Sequence, residues 1–177
     1  MPEYRRAWHP GGTWFFTVNL LRRGGNDLLV RHIEDLRCIV ARVRSAHPFS
    51  IHGWAVMPDH LHCLISLPEH DTDFALRWRL IKGGFSQAIP ANEWRSTVRQ
   101  RRGERAVWQR RYWEHLIRND ADFSAHMDYI HFNPVKHGLV KRVADWPNST
   151  FHRLVERGVY PPDWAGSPET DTLGDLE

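Results

Sequence analysis

The hydrophobic positions of the chain repeat with two periods, one typical of strands and the other typical of helices. Hydrophobic, β-branched and aromatic residues are concentrated at 13–20, 49–57, 60–67 and 107–117, and each of these segments predicts a strand. Apolar residues recur at helical spacing at 31–46 and 73–88, which predicts two amphipathic helices. A third helix is predicted to begin at Asn119 or Asp120, to end or kink at Pro134, and to close at Gly138.

This order of elements is typical of an α+β fold of the ferredoxin-like, split-βαβ type. We expect an antiparallel sheet with helices packed on one face, so that the other face is open to a substrate. A short turn at 58–59 predicts a hairpin between the second and third strands. Residues 1–157 are predicted to form one domain, followed by an acidic, flexible tail at 158–177. The polar, basic segment 91–106 is predicted to be mobile.

Composition places the chain among ordinary globular proteins. Hydrophobic residues make up 41% of 177, which is enough to fill a core without disulfides. The two cysteines, Cys38 and Cys63, form no CxxC motif, which favours a reducing compartment over a cysteine-built zinc site. Neither an apolar signal region nor a membrane-spanning stretch is visible, so we expect a soluble, cytoplasmic protein.

Basic residues outnumber acidic ones along most of the chain, although the net charge is only +3. Residues 1–157 hold all 24 lysines and arginines but only 16 of the 21 acidic residues. Ten of the basic residues lie between Arg77 and Arg111, against two acidic ones. Such a basic body favours a polyanionic partner, nucleic acid above all. A solvated helix face is the alternative that charge density alone leaves open.

Two histidines interrupt the hydrophobic strand HLHCLISL at 60–67. Side chains alternate along a strand, so His60 and His62 share one face of the sheet, whereas Leu61 and Cys63 point into the helix-covered core. The histidines are therefore expected on the open face. Two imidazoles at this spacing can reach one divalent cation, although a structural or surface pair is the commoner reason for it.

A second informative stretch is YIHFNPVKHG at 129–138. Tyr129 and Asn133 are four residues apart, so they share one face of the predicted helix. The amide oxygen of Asn133 would complete a set of two histidine nitrogens and one oxygen. This mixed set leaves room for phosphate oxygens and suits Mg²⁺ or Mn²⁺ better than a structural zinc. A packed tyrosine and a helix-ending asparagine are the alternatives.

Taken together and in order, four stretches resemble the REP-associated tyrosine transposases, which act at repetitive extragenic palindromes. These transposases are relatives of the single-tyrosine transposases in the HUH endonuclease superfamily. The stretches are MPDHLHCL, VWQRRYWEHLIRND, YIHFNPVKHGLV and DWPNSTFH. The resemblance extends from GGTWFFTV near the N-terminus to about Phe151, but it does not cover 91–106 or the acidic tail. It implies a ferredoxin-like sheet, in agreement with the order of the elements.

The resemblance also implies roles for individual residues. His60 and His62 correspond to the two histidines of the HUH motif. Tyr129 stands where the family has its nucleophile, and Asn133 where it has the third metal ligand. The implied activity is cleavage and transfer of single-stranded DNA beside REP-type hairpins, through a 5′-phosphotyrosine and with a divalent metal. Because a phosphotyrosine keeps the energy of the phosphoester, a 3′-hydroxyl can reverse the step without ATP.

DNA contacts are expected from basic side chains of the 77–111 region and from the end of the third predicted helix. Trp94, Trp108 or Trp113 could stack on unpaired bases. Asp59 is interpreted as a turn residue, with a carboxylate supporting the metal ligands as the alternative. The phosphate-contacting candidates are Lys82, Arg99, Arg101, Arg102, Arg110, Arg111, Lys136 and His137.

Two other functions remain open at this point. A DNA-hairpin-binding protein without chemistry would act structurally or in regulation. A metal-dependent RNA or phosphoester hydrolase would release free products and keep its activity after Tyr129→Phe. The sequence leaves open whether the protein works as a monomer or a homodimer, and whether Tyr129 serves the histidines of its own chain.

Overall fold

A computed structural model describes residues 9–91, 93, 95–103 and 105–167. The strands are β1 (Thr13–Asn19), β2 (Ser50–Val56), β3 (His60–Ser66) and β4 (Trp113–Leu116). The helices are α1 (Leu28–Arg31), α2 (Ile33–Ala46), α3 (Phe74–Ala88), α4 (Thr97–Arg101), α5 (Asp120–Lys136) and α6 (Phe151–Glu156), with a 3₁₀ turn at Val143–Asp145. Within the described ranges, no helix is long and apolar enough to cross a membrane.

The four strands form one antiparallel sheet in the order β2-β3-β1-β4. The helical segments between β1 and β2 return the chain so that β3 lies between these two strands, as in a split βαβ unit. β2 and β3 form the predicted hairpin. The predicted α+β antiparallel fold is therefore confirmed.

One face of the sheet is covered by α2 and α3. The alternating residues Leu61, Cys63 and Ile65 of β3 point to this side, as the sequence pattern predicted. They join a core in which Phe16 of β1 contacts Trp78 of α3 edge to face, with ring centroids 5.3 Å apart. This larger core provides most of the apolar burial that stabilises the sheet.

The other face of the sheet, which the sequence predicted to be open, is covered by α5. Phe15 of β1, Leu64 of β3 and Ile130 of α5 are all fully buried in a second core. His60 and His62 belong to this face of β3. Their side chains are therefore buried beneath a helix rather than lying on an open surface, with only 2% and 0% exposed.

Gly53 allows α5 to lie close to β2. A Cβ atom at this position would come within 2.8 Å of the Met127 sulfur and 3.3 Å of Ile130 Cδ1. The register of β2 against β3 is also irregular between Ile51 and Gly53. The missing side chain thus sets the approach of the helix that carries Tyr129.

Two predicted boundaries differ in the structure. Of the predicted strand 107–117, residues 113–116 form β4 and pair with β1, whereas Trp108 forms only an isolated antiparallel bridge with Leu20, just beyond the end of β1. The Trp108 side chain packs into the core beside Phe85, with ring centroids 5.4 Å apart. The third helix does begin after Asn119, whose side chain accepts the Asp122 amide at 2.9 Å.

The third helix also runs past Pro134, which had been expected to end or kink it. It continues to Lys136, and Gly138 then adopts φ +67°. The amide of Leu139 bonds the Pro134 carbonyl and the amide of Gly138 bonds the Val135 carbonyl, both at 2.9 Å. This pair of bonds with a left-handed glycine is a Schellman motif, and it confirms Gly138 as the end of the helix.

The two segments that the family resemblance did not cover carry structure in their described parts. Within 91–106, α4 is capped by Ser96, whose hydroxyl accepts from the Arg99 amide. Beyond 157, Tyr160 packs into the second core and donates to Asp128 of α5 at 2.7 Å. Its hydroxyl thus ties the start of the predicted tail to α5, whereas 168–177 lie outside the described residues.

Candidate active site

Strand β3 and its neighbour β1 hold the two histidines in place. The imidazoles of His60 and His62 meet edge to face, with ring centroids 5.0 Å apart, and the Nε2 atom of each is buried. Thr17 lies opposite His62 in the β1–β3 register, and its Oγ1 is 2.8 Å from Nδ1 of His62. With the proton on Nδ1 the ring donates to Thr17, and Nε2 keeps the lone pair that a metal ligand needs.

Burial lowers the pKa of His62 well below its ordinary value, and the positive charges of His60 and His137 lower it further. The imidazole is therefore neutral at pH 7. The Asn133 amide lies beside His62 and acts to raise this pKa, although the two side chains are not within hydrogen-bonding geometry of each other. A neutral, buried imidazole is the form that binds a metal.

His60 is held by a carboxylate and a guanidinium. Nδ1 of His60 is 2.6 Å from Oδ1 of Asp59, whose other oxygen accepts from Nε of Arg23 at 3.1 Å. Asp59 lies in the turn between β2 and β3, and its side chain also supports the first histidine. A carboxylate on the far nitrogen is the usual partner of a metal-binding histidine, because it fixes the orientation of the ring and makes it more basic.

Helix α5 brings Tyr129 and Asn133 to the same place within one chain. The Tyr129 ring lies beside the His62 ring, with centroids 5.2 Å apart and planes at 74°. Tyr129 is 1% exposed and Asn133 is fully buried. All four residues that the sequence picked out for chemistry are therefore neighbours.

Several polar atoms at this point of the fold fit a cation. Nε2 of His62 and both amide atoms of Asn133 have no hydrogen-bond partner among the described residues. Leaving such atoms buried and unpaired costs roughly 1–3 kcal/mol each. An Mg²⁺ or Mn²⁺ ion bound by the two imidazoles and the amide oxygen would remove part of this cost, so these donors fit the metal.

Two basic residues from the end of α5 stand at the mouth of the site. The ammonium group of Lys136 is 5.1 Å from the centroid of the Tyr129 ring. The His137 ring is 5.0 Å from the His60 ring. Beside His60 and His137 opens a cleft of about 410 Å³, which the 23–27 loop also lines. A phosphate entering there would meet positive charge.

The other predicted DNA contacts lie elsewhere. The ammonium group of Lys82 bonds the backbone carbonyls of Gln109 and Arg110, at 2.6 and 3.2 Å, and burial lowers its pKa to about 8. A DNA contact by Lys82 would have to replace these bonds. Arg99 is half-buried on α4. The exposed candidates are Arg101, Arg102, Arg110 and Arg111.

The three tryptophans proposed to stack on bases have different surroundings. Trp108 is buried, and its indole N–H donates to the Lys82 carbonyl at 3.1 Å. Trp113 is 39% exposed and lies parallel to His115, with planes at 4° and centroids 5.8 Å apart. It pairs across the sheet with Thr17, so its ring lies next to the candidate site. Trp94 lies outside the described residues.

A separate His–Asp cluster joins β4 to the first turn of α5. It consists of His115, Asp122 and His126, whose potential ligand atoms lie within 4.8 Å of one another. Burial would raise the pKa of Asp122, but hydrogen bonds from His115 and Arg118 outweigh it and lower the pKa to about 2. Because its oxygens already accept from these two side chains at 2.9 and 3.0 Å, the cluster is a hydrogen-bonded junction between β4 and α5.

Two residues of the site escaped sequence reasoning. Thr17 is one of several polar residues in β1, and only the β1–β3 register identifies it as the partner of His62. Arg23 lies in a loop distant in sequence from Asp59 and His60, and no local pattern marks it. Both could have been found only from knowledge of which strand lies beside β3.

The chain is similar in sequence and in structure to known transposases. The family model described as "Transposase IS200 like" matches residues 26–133. A REP-associated tyrosine transposase of Escherichia coli (strain K12) is 49% identical over 99% of this chain and 98% of its own length. A relative from Haemophilus influenzae is 42% identical over 99% of this chain and 100% of its own. A solved REP-associated tyrosine transposase bound to a REP hairpin has a TM-score of 0.82 and 50% identity, covering 94% of this chain and 93% of that one.

Proposed function

The chain belongs to the IS200-like transposase family and, within it, to the REP-associated tyrosine transposases, and from this premise we propose that it cleaves and rejoins single-stranded DNA beside hairpins. The related structure bound to a REP hairpin supports this choice of substrate. The site supports it too, since Tyr129, His60 and His62 come from one chain. One copy of the chain is then enough to build one site. A DNA substrate also agrees with the expected cytoplasmic location.

Tyr129 is the proposed nucleophile. Its Oη attacks the scissile phosphorus in line, so that a bond forms between Oη and phosphorus while the bond from phosphorus to the 3′-oxygen breaks. The phenol loses its proton and the departing 3′-oxygen gains one. The products are a 5′-phosphotyrosine and a free 3′-hydroxyl.

The surroundings of Tyr129 suit this role. A free tyrosine has a pKa near 10, so only about one in a thousand is ionised at pH 7. The Lys136 ammonium, 5.1 Å from the ring centroid, provides positive charge beside the phenolate as it forms. Packing against Phe15, with centroids 5.9 Å apart, holds the ring so that little orientational freedom is lost on attack.

His60, His62 and Asn133 are the proposed ligands of an Mg²⁺ or Mn²⁺ ion. The chemistry that such an ion supplies when bound is polarisation of the scissile phosphate and stabilisation of charge on its oxygens. Thr17 keeps Nε2 of His62 available by binding Nδ1, at 2.8 Å. Asp59 does the same for His60, at 2.6 Å.

A tyrosine nucleophile also explains why joining is possible. A phenolate is a fair leaving group, so the 3′-hydroxyl of another strand can attack the phosphotyrosine and restore a phosphodiester. Attack by water would instead end the reaction with free products.

The observation on which this proposal rests is the packing of the Tyr129 ring against the His62 ring, with centroids 5.2 Å apart. The test is to incubate the protein with a hairpin-bearing single-stranded oligonucleotide and Mg²⁺ or Mn²⁺, and to look for an adduct that survives denaturation. The adduct is expected with wild type and not with Tyr129→Phe. Tight binding by wild type without any adduct would instead favour a hairpin-binding protein without chemistry.

A further inference from the structure

A second cleft opens at the other edge of the sheet from Trp113. It lies between α2 and the outer side of β2, has a volume of about 250 Å³, and is closed at one end by residues 148–153. Ile51, Trp54 and Val40 give it an apolar floor. This volume is below the roughly 300–1,000 Å³ of sites that enclose a whole small molecule, so the cleft suits one unit of a larger ligand.

The floor of this β2-edge cleft is rigid. Residues 148–150 run along the free edge of β2, where the Val56 amide bonds the Asn148 carbonyl and the Thr150 amide bonds the Trp54 carbonyl, both at 2.8 Å. The Thr150 hydroxyl also accepts from the Trp54 amide at 2.9 Å. The cleft is therefore formed before any ligand arrives.

Three arginines without acidic partners lie in or beside the cleft, whereas Arg37, which also lines it, is paired with Glu34. Arg44 and Arg153 line it, and Arg157 lies close enough to Arg153 for their charges to interact. No carboxylate of the described chain forms an ion pair with any of these three. Arg31 and Arg118, in contrast, are paired with Asp27 and Asp122. The positive charge of these three arginines at the cleft is therefore not neutralised by any carboxylate of the described residues.

Arg153 is the most buried of these three arginines without acidic partners. Its Nε is buried without a hydrogen-bond partner among the described residues, while one terminal nitrogen donates to the Ile51 carbonyl at 3.3 Å. Burial lowers its pKa, and the charges of Arg157 and Arg44 lower it further. His52 and His131 are likewise affected by the charge of Arg153. The ionisable groups shown to interact with Arg153 are all basic, which favours an anionic ligand.

From the apolar floor, the volume and the guanidinium groups without carboxylate partners, we propose that the β2-edge cleft binds one unpaired nucleotide of the DNA substrate. The base would lie against Trp54 and Val40, and the flanking phosphates would bind Arg44 and Arg153. Base stacking and charge-assisted phosphate contacts are how proteins bind single strands. This inference rests on the proposed function and adds a binding site on another part of the molecule from Tyr129.

The first test measures the phosphate contacts. Arg44→Gln and Arg153→Gln are compared with Arg142→Gln, an equal change of charge at an exposed arginine paired with Asp145 at 2.7 Å. The probe is a fluorescent single-stranded DNA hairpin with single-stranded flanks. Each cleft variant should bind it roughly three- to tenfold more weakly and lower the salt slope by about one, and Arg142→Gln should do neither.

The second test fills the cleft without removing a charge. Ala41→Trp places a large ring at its exposed rim, while Ala46→Trp makes the same change at an exposed position of α2 outside the cleft. Single abasic sites are then moved along the unpaired flanks of the probe. With wild type and Ala46→Trp, one abasic position should weaken binding, and with Ala41→Trp that position should lose its effect.

Two outcomes would overturn the proposal. Wild-type affinity and salt slope in both arginine variants would show that the cleft does not contact phosphates. An identical abasic profile for wild type and Ala41→Trp would show that no base enters it. Either failure leaves the covalent adduct of wild type untouched, whereas absence of that adduct would count against the proposed function whatever the cleft binds.

Discussion

The ring of Tyr129 lies 5.2 Å from the ring of His62, centroid to centroid, within a single chain. Tyr129 comes from α5 and His62 from β3, so their contact depends on how the helix crosses the sheet. Gly53 of β2 permits that crossing, because any side chain there would meet Met127. Strand, helix and glycine together therefore place a phenol beside a buried, neutral imidazole.

Tyr129→Phe should abolish the covalent adduct and leave hairpin affinity within about twofold of wild type. The phenyl ring can keep the packing against Phe15 and His62, so the variant should remain folded. Adduct formation is measured on a denaturing gel, and affinity by anisotropy with the same hairpin probe. An adduct that persists in Tyr129→Phe would mean that another side chain is the nucleophile.

Thr17→Val should weaken Mn²⁺ binding by roughly 10–100-fold, because His62 loses the partner of its Nδ1. Thr13→Val is the matched control, since it removes a hydroxyl from the far end of the same strand, where Thr13 bonds Ser66 at 2.6 Å. Isothermal titration with Mn²⁺ compares the two. Equal affinities in both variants would show that the Thr17 contact does not tune the ligand.

Trp113→Ala should weaken binding of single-stranded DNA by about 1–3 kcal/mol if its exposed ring stacks on a base beside the site. Trp113→Phe should keep most of the affinity, because a phenyl ring still offers a face for stacking. Both are measured by anisotropy with an unstructured oligonucleotide. A loss of the same size in the two variants would point to altered packing with His115 rather than to stacking.

Lys82→Met should change the stability of the fold, whereas Arg111→Gln should change the salt dependence of DNA binding. Lys82 bonds two backbone carbonyls, so its loss should lower the free energy of unfolding by about 1–3 kcal/mol with little change in the salt dependence of DNA binding. Arg111 is exposed, so its loss should reduce the salt slope by about one and leave stability unchanged. Urea denaturation and salt titrations measure the two quantities. A reduced slope in Lys82→Met would instead support the DNA contact predicted for Lys82.

Acid should destabilise the protein partly through His131. Burial lowers its pKa in the folded state to about 4, while in the unfolded chain it is near 6.5. Between these values the unfolded state binds the extra proton, so stability falls as the pH drops from about 6.5 to 4, by up to roughly 2–3 kcal/mol. His131→Leu removes this contribution. Between pH 7 and pH 5, the unfolding free energy measured in urea should therefore fall more for wild type than for His131→Leu.

Local patterns predicted most of the elements because they depend on side-chain alternation and helical spacing. The strand bearing His60 and His62 and the helix bearing Tyr129 and Asn133 were both identified in this way. The 107–112 segment was predicted only in part, since it meets the sheet through an isolated bridge between Trp108 and Leu20 before β4 begins at Trp113. The helix does not end at Pro134. The missing amide of this proline removes only one bond of a helix that tertiary packing and the Gly138 cap still stabilise.

The sequence alone was enough to select the residues proposed to carry the chemistry, since the i, i+2 spacing on a strand and the i, i+4 spacing on a helix are fixed by backbone geometry. Only the tertiary structure decided that the histidines are buried, that Thr17 and Arg23 support them, and that Tyr129 meets His62 in its own chain. The physical reason is that these relations depend on strand order and on the crossing of α5. Residues distant in sequence set both, and no local pattern records them.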